Sequence, residues 1–382
     1  MEAKAKGYIA FIKDFSLLSL IFIFLLVGCG SNVPAISVEN IDQVTWLKTY
    51  PISSKDTWGD VVWSKNEAER LFVAGAVHNS DGSMSGLVRD WSLEYEDGQA
   101  YDWQTMDGKK ISGIPIRSMA LSPDGRRIAL GSFASVVMIW DMDYQPAKDN
   151  VLYLEGHTEP TITAVAWSPD GKLLASGGVD KTVRLWNVDS EVVVHGSPIK
   201  EVMMFEATER VNCVSFSPNG KLLVIGTDGG VAAIDIAART SVLDISGAPI
   251  AKLGKSLAWS SDGTRLAVGS SDGKVFIFTL AGDKFNSDAE LLDISKAGWI
   301  GDLDFSPDGK MLVMAFPNII EIWDIEQEAA LTSFGNSGDL KFTSVAWSPD
   351  GTRLAIIARD PGRPTGAAKP KNPAPIVIDR YW

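Results

Sequence analysis

Asp302 and Asp304, one residue apart, are the closest approach in this sequence to a paired-carboxylate acid–base motif. On an extended strand both side chains fall on one face. A strand that turns one polar face outward explains the alternation more simply. The three histidines, His78, His157 and His195, are scattered and lack metal-ligand spacing. His78 falls in an expected loop and His195 in a polar insertion. Cys213 follows Asn212 in an apolar stretch, which predicts a buried, inert thiol. No glycine-rich phosphate loop stands before a helix, and no nucleophile elbow is visible. The chain therefore reads as a non-enzyme with no catalytic residues, no metal and no cofactor. A site assembled from distant loops would escape such a reading.

The elements that carry these residues belong to a chain of 382 residues with net charge −13 and 45% hydrophobic residues. That apolar content is ample for a core and excludes wholesale disorder. The acidic balance argues against nucleic acid as a partner, because phosphates demand a basic face. Two cysteines exclude a disulfide scaffold. Thirteen tryptophans call for either a repeated packing role or a binding role.

The first thirty residues read as an address. Lys4, Lys6 and Lys13 precede an apolar run from Phe15 to Gly28. As a helix that run spans about 21 Å, short of the roughly 30 Å hydrocarbon core. A charged start, a short apolar stretch and a small residue at its end describe a secretory signal peptide. The run ends Leu26-Val27-Gly28-Cys29, which resembles the lipobox of bacterial lipoproteins. The resemblance implies cleavage before Cys29, lipidation of that cysteine, and a body held outside the cytoplasm. Gly30, in place of Asp, implies the outer membrane in a two-membrane bacterium, and otherwise the outer face of the cell membrane. The expected divisions are a signal peptide over 1–28, the lipidated cysteine and a tether over 29–42, and one folded body over 43–382.

The body repeats. Serines 64, 122, 168, 217, 260, 306 and 348 each follow an apolar strand, and a second apolar strand comes after them. Four are followed by Pro-Asp-Gly; Ser217 has Pro-Asn-Gly, Ser260 has Ser-Asp-Gly, and the Ser64 copy is degenerate. Pro presets φ, Asp or Asn bonds its own backbone and Gly accepts positive φ, so each phrase reverses the chain between strands. Seven copies at this period predict a radial or stacked array of four-stranded units.

The third strands end in Trp140-Asp141, Trp186-Asn187 and Trp323-Asp324, with Asp90-Trp91, Ile234-Asp235 and Ile277-Phe278 as looser versions. Here the chain resembles the WD-repeat β-propeller family. The resemblance implies an all-β, seven-bladed propeller of four-stranded antiparallel blades. It also implies a buried hydrogen-bonded network of His157, Ser176, Asp180 and Trp186 in the third repeat, where Gly156-His157 is present.

The last repeat supplies three strands, Thr343–Trp347, Arg353–Ala358 and Pro375–Tyr381. The strand-like Gln43–Tyr50 is expected to complete that blade and close the ring without a loose seam.

Eight tryptophans fall at repeated positions: Trp63, Trp167, Trp259 and Trp347 end first strands, and Trp91, Trp140, Trp186 and Trp323 end third strands. Trp58 and Trp299 do not repeat and are expected in loops that enter a blade. Two other loops are long, His78–Gly86 and Arg359–Ala374. The second carries Arg359, Arg363, Lys369 and Lys371 against Asp360. With Trp58 and Trp299, these four cations form the candidate partner-binding surface. The expected function is a membrane-anchored, extracytoplasmic, monomeric scaffold that binds an unidentified protein through one propeller face. Two alternatives stay open: an envelope hydrolase or small-ligand propeller using the central channel, and an accessory lipoprotein of an outer-membrane assembly complex.

Overall fold

The computed structural model describes residues 22–27, 46–49, 56–64, 70–78, 84–92, 99–102, 114–142, 151–189, 199, 201–244, 253–282, 284–286, 290–292, 294, 298–335, 341–359 and 376–379. Every regular element among them is a strand. Six blades are each built from consecutive strands. Blade 1 comprises Asp56–Trp63, Arg70–His78, Met84–Ser92 and Gln99–Asp102. Blade 2 comprises Ile116–Leu121, Arg127–Ser132, Val136–Asp141 and Val151–Glu155. Blade 3 comprises Ile162–Trp167, Leu173–Gly178, Thr182–Asn187 and Glu201–Glu206. Blade 4 comprises Val211–Phe216, Leu222–Thr227, Gly230–Asp235 and Thr240–Asp244. Blade 5 comprises Leu253–Trp259, Arg265–Ser270, Val275–Ala281 and Glu290–Leu292, with Lys284–Phe285 as a small extra hairpin. Blade 6 comprises Asp302–Phe305, Met311–Ala315, Ile319–Asp324 and Ala329–Gly335.

The repeated turn has one chemistry in six copies. From Ser122 to Ser348, each serine hydroxyl donates to the Asp or Asn two residues on, at 2.5–2.7 Å. The same oxygen accepts the N–H five residues on, at 2.8–2.9 Å. The glycine between takes φ of 69° to 72°, a region closed to most side chains. The serine is thus satisfied in both directions, which lets it sit buried at the end of the first strand.

Apolar clusters lie between adjacent blades. One joins Phe72 and Ala74 of blade 1 to Met119, Ile128 and Leu130 of blade 2. Another joins Ala175 and Leu185 of blade 3 to Val211, Val214 and Phe216 of blade 4. Each blade is buried on both faces, so its second strand reads as a near-continuous apolar run, as in Leu222–Thr227.

The seven-bladed propeller expected from the sequence is corrected: the propeller has six blades. Between blade 6 and blade 1 the ring is closed by a composite five-stranded sheet, not by a further regular blade. Its strand order is Lys341–Trp347, Arg353–Arg359, Phe22–Val27, Ile376–Asp379, Trp46–Thr49. Phe22–Val27 pairs antiparallel with the whole edge from Arg353 to Ala358 and parallel with Ile378 and Asp379. Trp46–Thr49 then pairs through Leu47 with Val377 and Lys48 with Ile376. The physical reason lies in Leu354–Ala358, which is wholly buried and whose outer edge needs a partner along its length. The six-residue apolar strand Phe22–Val27 offers a longer match than the four-residue Ile376–Asp379. Trp58 also departs from expectation: it lies within Asp56–Trp63, beside a register shift between Trp58 and Asp60. His78 and Gly86 lie in strands, which leaves 79–83 between them.

Candidate functional site: the central channel and the ring seam

The first strand of each blade lies innermost, so one residue per blade meets the axis at the same level. That residue stands four positions before each turn serine: Asp60, Ser118, Ala164, Cys213, Ser256 and Asp302, with Ser344 in the closing sheet. All seven line one cavity of about 510 Å³. Around them the wall is completed by Arg117, Thr163, Asn212, Trp299 and Thr343. Cys213 is therefore only half-buried and lines the channel, a correction to its expected place in the core.

The two acids in this ring flank the closing sheet. Asp60 accepts its own neighbour's N–H from Val61 at 2.9 Å and, across the blade boundary, that of Met119 at 2.9 Å. Asp302 accepts from Leu303 at 2.9 Å and, across the next boundary, from Val345 at 3.1 Å. Asp304 accepts from the Trp347 N–H at 2.7 Å. Ser118 performs the same stitch to Val165 at 3.2 Å. In the Asp302/Asp304 alternation both carboxylates bind blade 6 to the closing sheet. Asp60, Asp302 and Asp304 are half-buried as whole residues, and each carboxylate accepts an N–H from the neighbouring sheet. Desolvation pushes Asp60 up to about 6 against its hydrogen bonds and the Arg117 charge. Desolvation, and then the charge of Asp60, push Asp302 up to about 7; desolvation alone pushes Asp304 to about 7.

Among the described residues, no group of three or more His, Cys, Asp or Glu side chains is placed to hold a metal ion. No described helix is long and apolar enough to cross a membrane.

Trp299 stands just ahead of blade 6, 36% exposed, on the rim of the channel. It lies outside any strand, at the end of the first strand opposite the Ser306 turn. Arg359 ends a strand of the closing sheet. Cys29, Arg363, Lys369 and Lys371 lie outside the described residues, so the surface expected from Trp58, Trp299 and the four cations is not brought together here.

The third blade holds a hydrogen-bonded chain. Trp186 Nε1 donates to Ser176 Oγ at 2.9 Å, and Ser176 Oγ lies 2.8 Å from His157 Nε2. His157 Nδ1 lies 2.9 Å from Asp180 Oδ2. Since Ser176 accepts from the indole, its own proton goes to Nε2, which leaves Nδ1–H to donate to Asp180. Burial holds His157 below the usual histidine range, although Asp180 opposes this. Burial would raise Asp180, but the Thr158 N–H, His157 and Thr182 outweigh it and hold the carboxyl low. Blade 6 has no histidine; there Trp323 Nε1 donates to buried Glu321 at 3.1 Å.

Blades of four antiparallel strands around a channel, with Trp-Asp strand ends and this His–Ser–Asp–Trp chain, define a WD-repeat β-propeller. The comparisons with known proteins agree. Residues 104–141 and 148–187 match the WD domain, G-beta repeat family, and residues 195–363 match the β-propeller of the nucleolar protein 10-like N-terminal domain. The chain is 38% identical over 98 residues to apoptotic protease-activating factor 1 of Homo sapiens, covering 24% of this chain and 8% of that one. It is 29% identical over 111 residues to WD repeat-containing protein WDS homolog of Arabidopsis thaliana, covering 28% and 20%. It is 28% identical over 96 residues to WD repeat-containing protein 1-B of Xenopus laevis, covering 25% and 16%. The matched segments span at most a fifth of these relatives' lengths.

Sequence reasoning missed the channel ring. The signal was present in the fixed offset of four residues before each turn serine, which places Asp60 and Asp302 in equivalent positions.

Proposed function

We propose that this propeller is a non-catalytic protein-binding scaffold, anchored through a lipid on Cys29 at the outer face of a bacterial membrane. The observation that supports binding is Trp299, a large aromatic left exposed on the rim of the channel. Aromatic side chains of this kind anchor interfaces. The basic segment from Arg359 to Lys371, with Arg363 and Lys369, adds positive charge to an acidic body and suits an acidic partner surface. The test is a pull-down from solubilised envelopes with the wild-type chain and Trp299→Ala; equal capture by both contradicts the reading. Lipid labelling that persists in Cys29→Ala contradicts the anchor.

Cleavage before Cys29 would withdraw Phe22–Val27 from the closing sheet. Ile376–Asp379 runs parallel to that strand, so it has the direction needed to pair with Arg353–Arg359 in its place.

A second reading, a small-ligand site in the channel, is favoured by one observation: a cavity of about 510 Å³ that joins Arg117, Asn212, Asp60 and Asp302. The small groups Ser118, Ala164 and Ser256 at the same level weigh against a reactive site.

A further inference from the structure

Three side chains from three sheets meet at the ring seam. Ser344, in the closing sheet, donates to Asp302 Oδ2 of blade 6 at 2.8 Å and stands 3.5 Å from Asp60 Oδ1 of blade 1. The serine is buried, and a single hydroxyl proton cannot serve two ionised carboxylates. We propose that the seam is a proton-operated latch: one proton taken up on Asp60 or Asp302 completes the chain carboxyl–Ser344–carboxylate across three sheets, and its loss loosens the closing sheet. This proposal stands independently of the scaffold reading.

The atoms support two states. With the proton on Asp60, its hydroxyl donates to Ser344 Oγ, and Ser344 donates to ionised Asp302. The backbone donors Met119 and Val345 are retained. Without that proton, two like charges face each other through a hydroxyl that satisfies only one. Among the described residues, the following groups bear on the latch. Arg117 on blade 2 acts on Asp60, while Asp302 feels the charge of Asp60 and the donors Val345, Ser344 and Leu303. Asp304 is held by the N–H groups of Trp347 and Phe305. Lys341, at the far end of the same closing strand, is engaged with Asn318. At the equivalent positions of blades 2 to 5, Ser118, Ala164, Cys213 and Ser256 supply no carboxylate. The device is therefore confined to the seam.

The test is amide hydrogen exchange of the purified chain between pH 5.5 and 8.0, corrected for intrinsic rates. Expected is at least a tenfold rise in opening for the peptide covering 341–347, with none for the peptide covering 211–216 across the ring. Asp302→Asn should flatten the rise at the seam. Equal behaviour of the two peptides, or an unchanged profile in Asp302→Asn, overturns the latch. Should that variant fail to fold, carboxyl-carbon NMR of the wild-type chain decides. Two seam carboxyls titrating between pH 5.5 and 7.5 support it, and complete titration below pH 5 overturns it.

Discussion

Asp304 of blade 6 accepts the backbone N–H of Trp347 in the closing sheet at 2.7 Å, two residues beyond the point where Asp302 accepts that of Val345. Blade 6 is thus stitched to its neighbour twice along one strand face. In most other blades the position of Asp304 is held by a small or aliphatic residue, such as Ala120, Ala166 or Ala258. Asp304→Ala leaves a buried N–H without its acceptor and should cost about 1–3 kcal/mol. Asp304→Asn keeps an acceptor oxygen and should cost less. Chemical denaturation of the two variants checks the order.

The pH dependence of stability has a worked sign. Asp60, Asp302 and Asp304 have native values raised to about 6 to 7. Their contribution is full below the unfolded value, near 3.9, and is lost as pH rises through the native values. His157 acts oppositely, because its value is lowered. Its contribution is full above the ordinary histidine value and is lost as pH falls. Denaturation midpoints should therefore fall from pH 6 to pH 8 in the wild-type chain. The triple Asn variant at 60, 302 and 304 should show a much weaker fall.

His157→Ala removes the central link between Ser176 and Asp180, both buried in blade 3. Loss of partners at two buried polar groups should cost about 2 kcal/mol or more. His157→Gln, which offers one donor and one acceptor, should recover part of it. Thermal unfolding of the three chains reads the difference directly.

The repeats were legible because each turn needs Pro, Asp or Asn, and Gly at fixed places, and those residues stand in the chain unaltered. Strands beside those turns were legible too, as with Thr343–Trp347, which falls inside Lys341–Trp347. The closing sheet was not. Its order depends on which distant strand best fits the edge of Arg353–Arg359, and no local pattern in Phe22–Val27 states that partner. Trp58 was misplaced because Gly59 interrupts the alternation where the strand bulges. The meaning of Asp302 was hidden for a similar reason. Besides its neighbour Leu303, it accepts from Val345 and Ser344, more than forty residues away.

Arg127 of blade 2 reaches across to blade 3. Its guanidinium lies 4.6 Å from the Trp167 ring and donates to the carbonyl of Gly171 at 3.2 Å and to that of Val188. Arg127→Lys keeps the charge but loses the planar fork, so it should destabilise by about 1 kcal/mol. Urea denaturation of this single variant measures it.

The proposed anchoring predicts that a chain beginning at Cys29 folds, with Ile376–Asp379 paired to Arg353–Arg359. A chain cut back past Tyr50 loses Trp46–Thr49 from the closing sheet and should melt well below it. Equal melting temperatures for the two truncations would contradict this account of closure.

The scaffold reading is tested most directly by placing a photo-crosslinking residue at position 299 and, as a control, at position 307 in the turn at the opposite end of the same strand. The account predicts a discrete protein adduct from position 299 in living cells and none from 307. Adducts from 307 with none from 299 would contradict it.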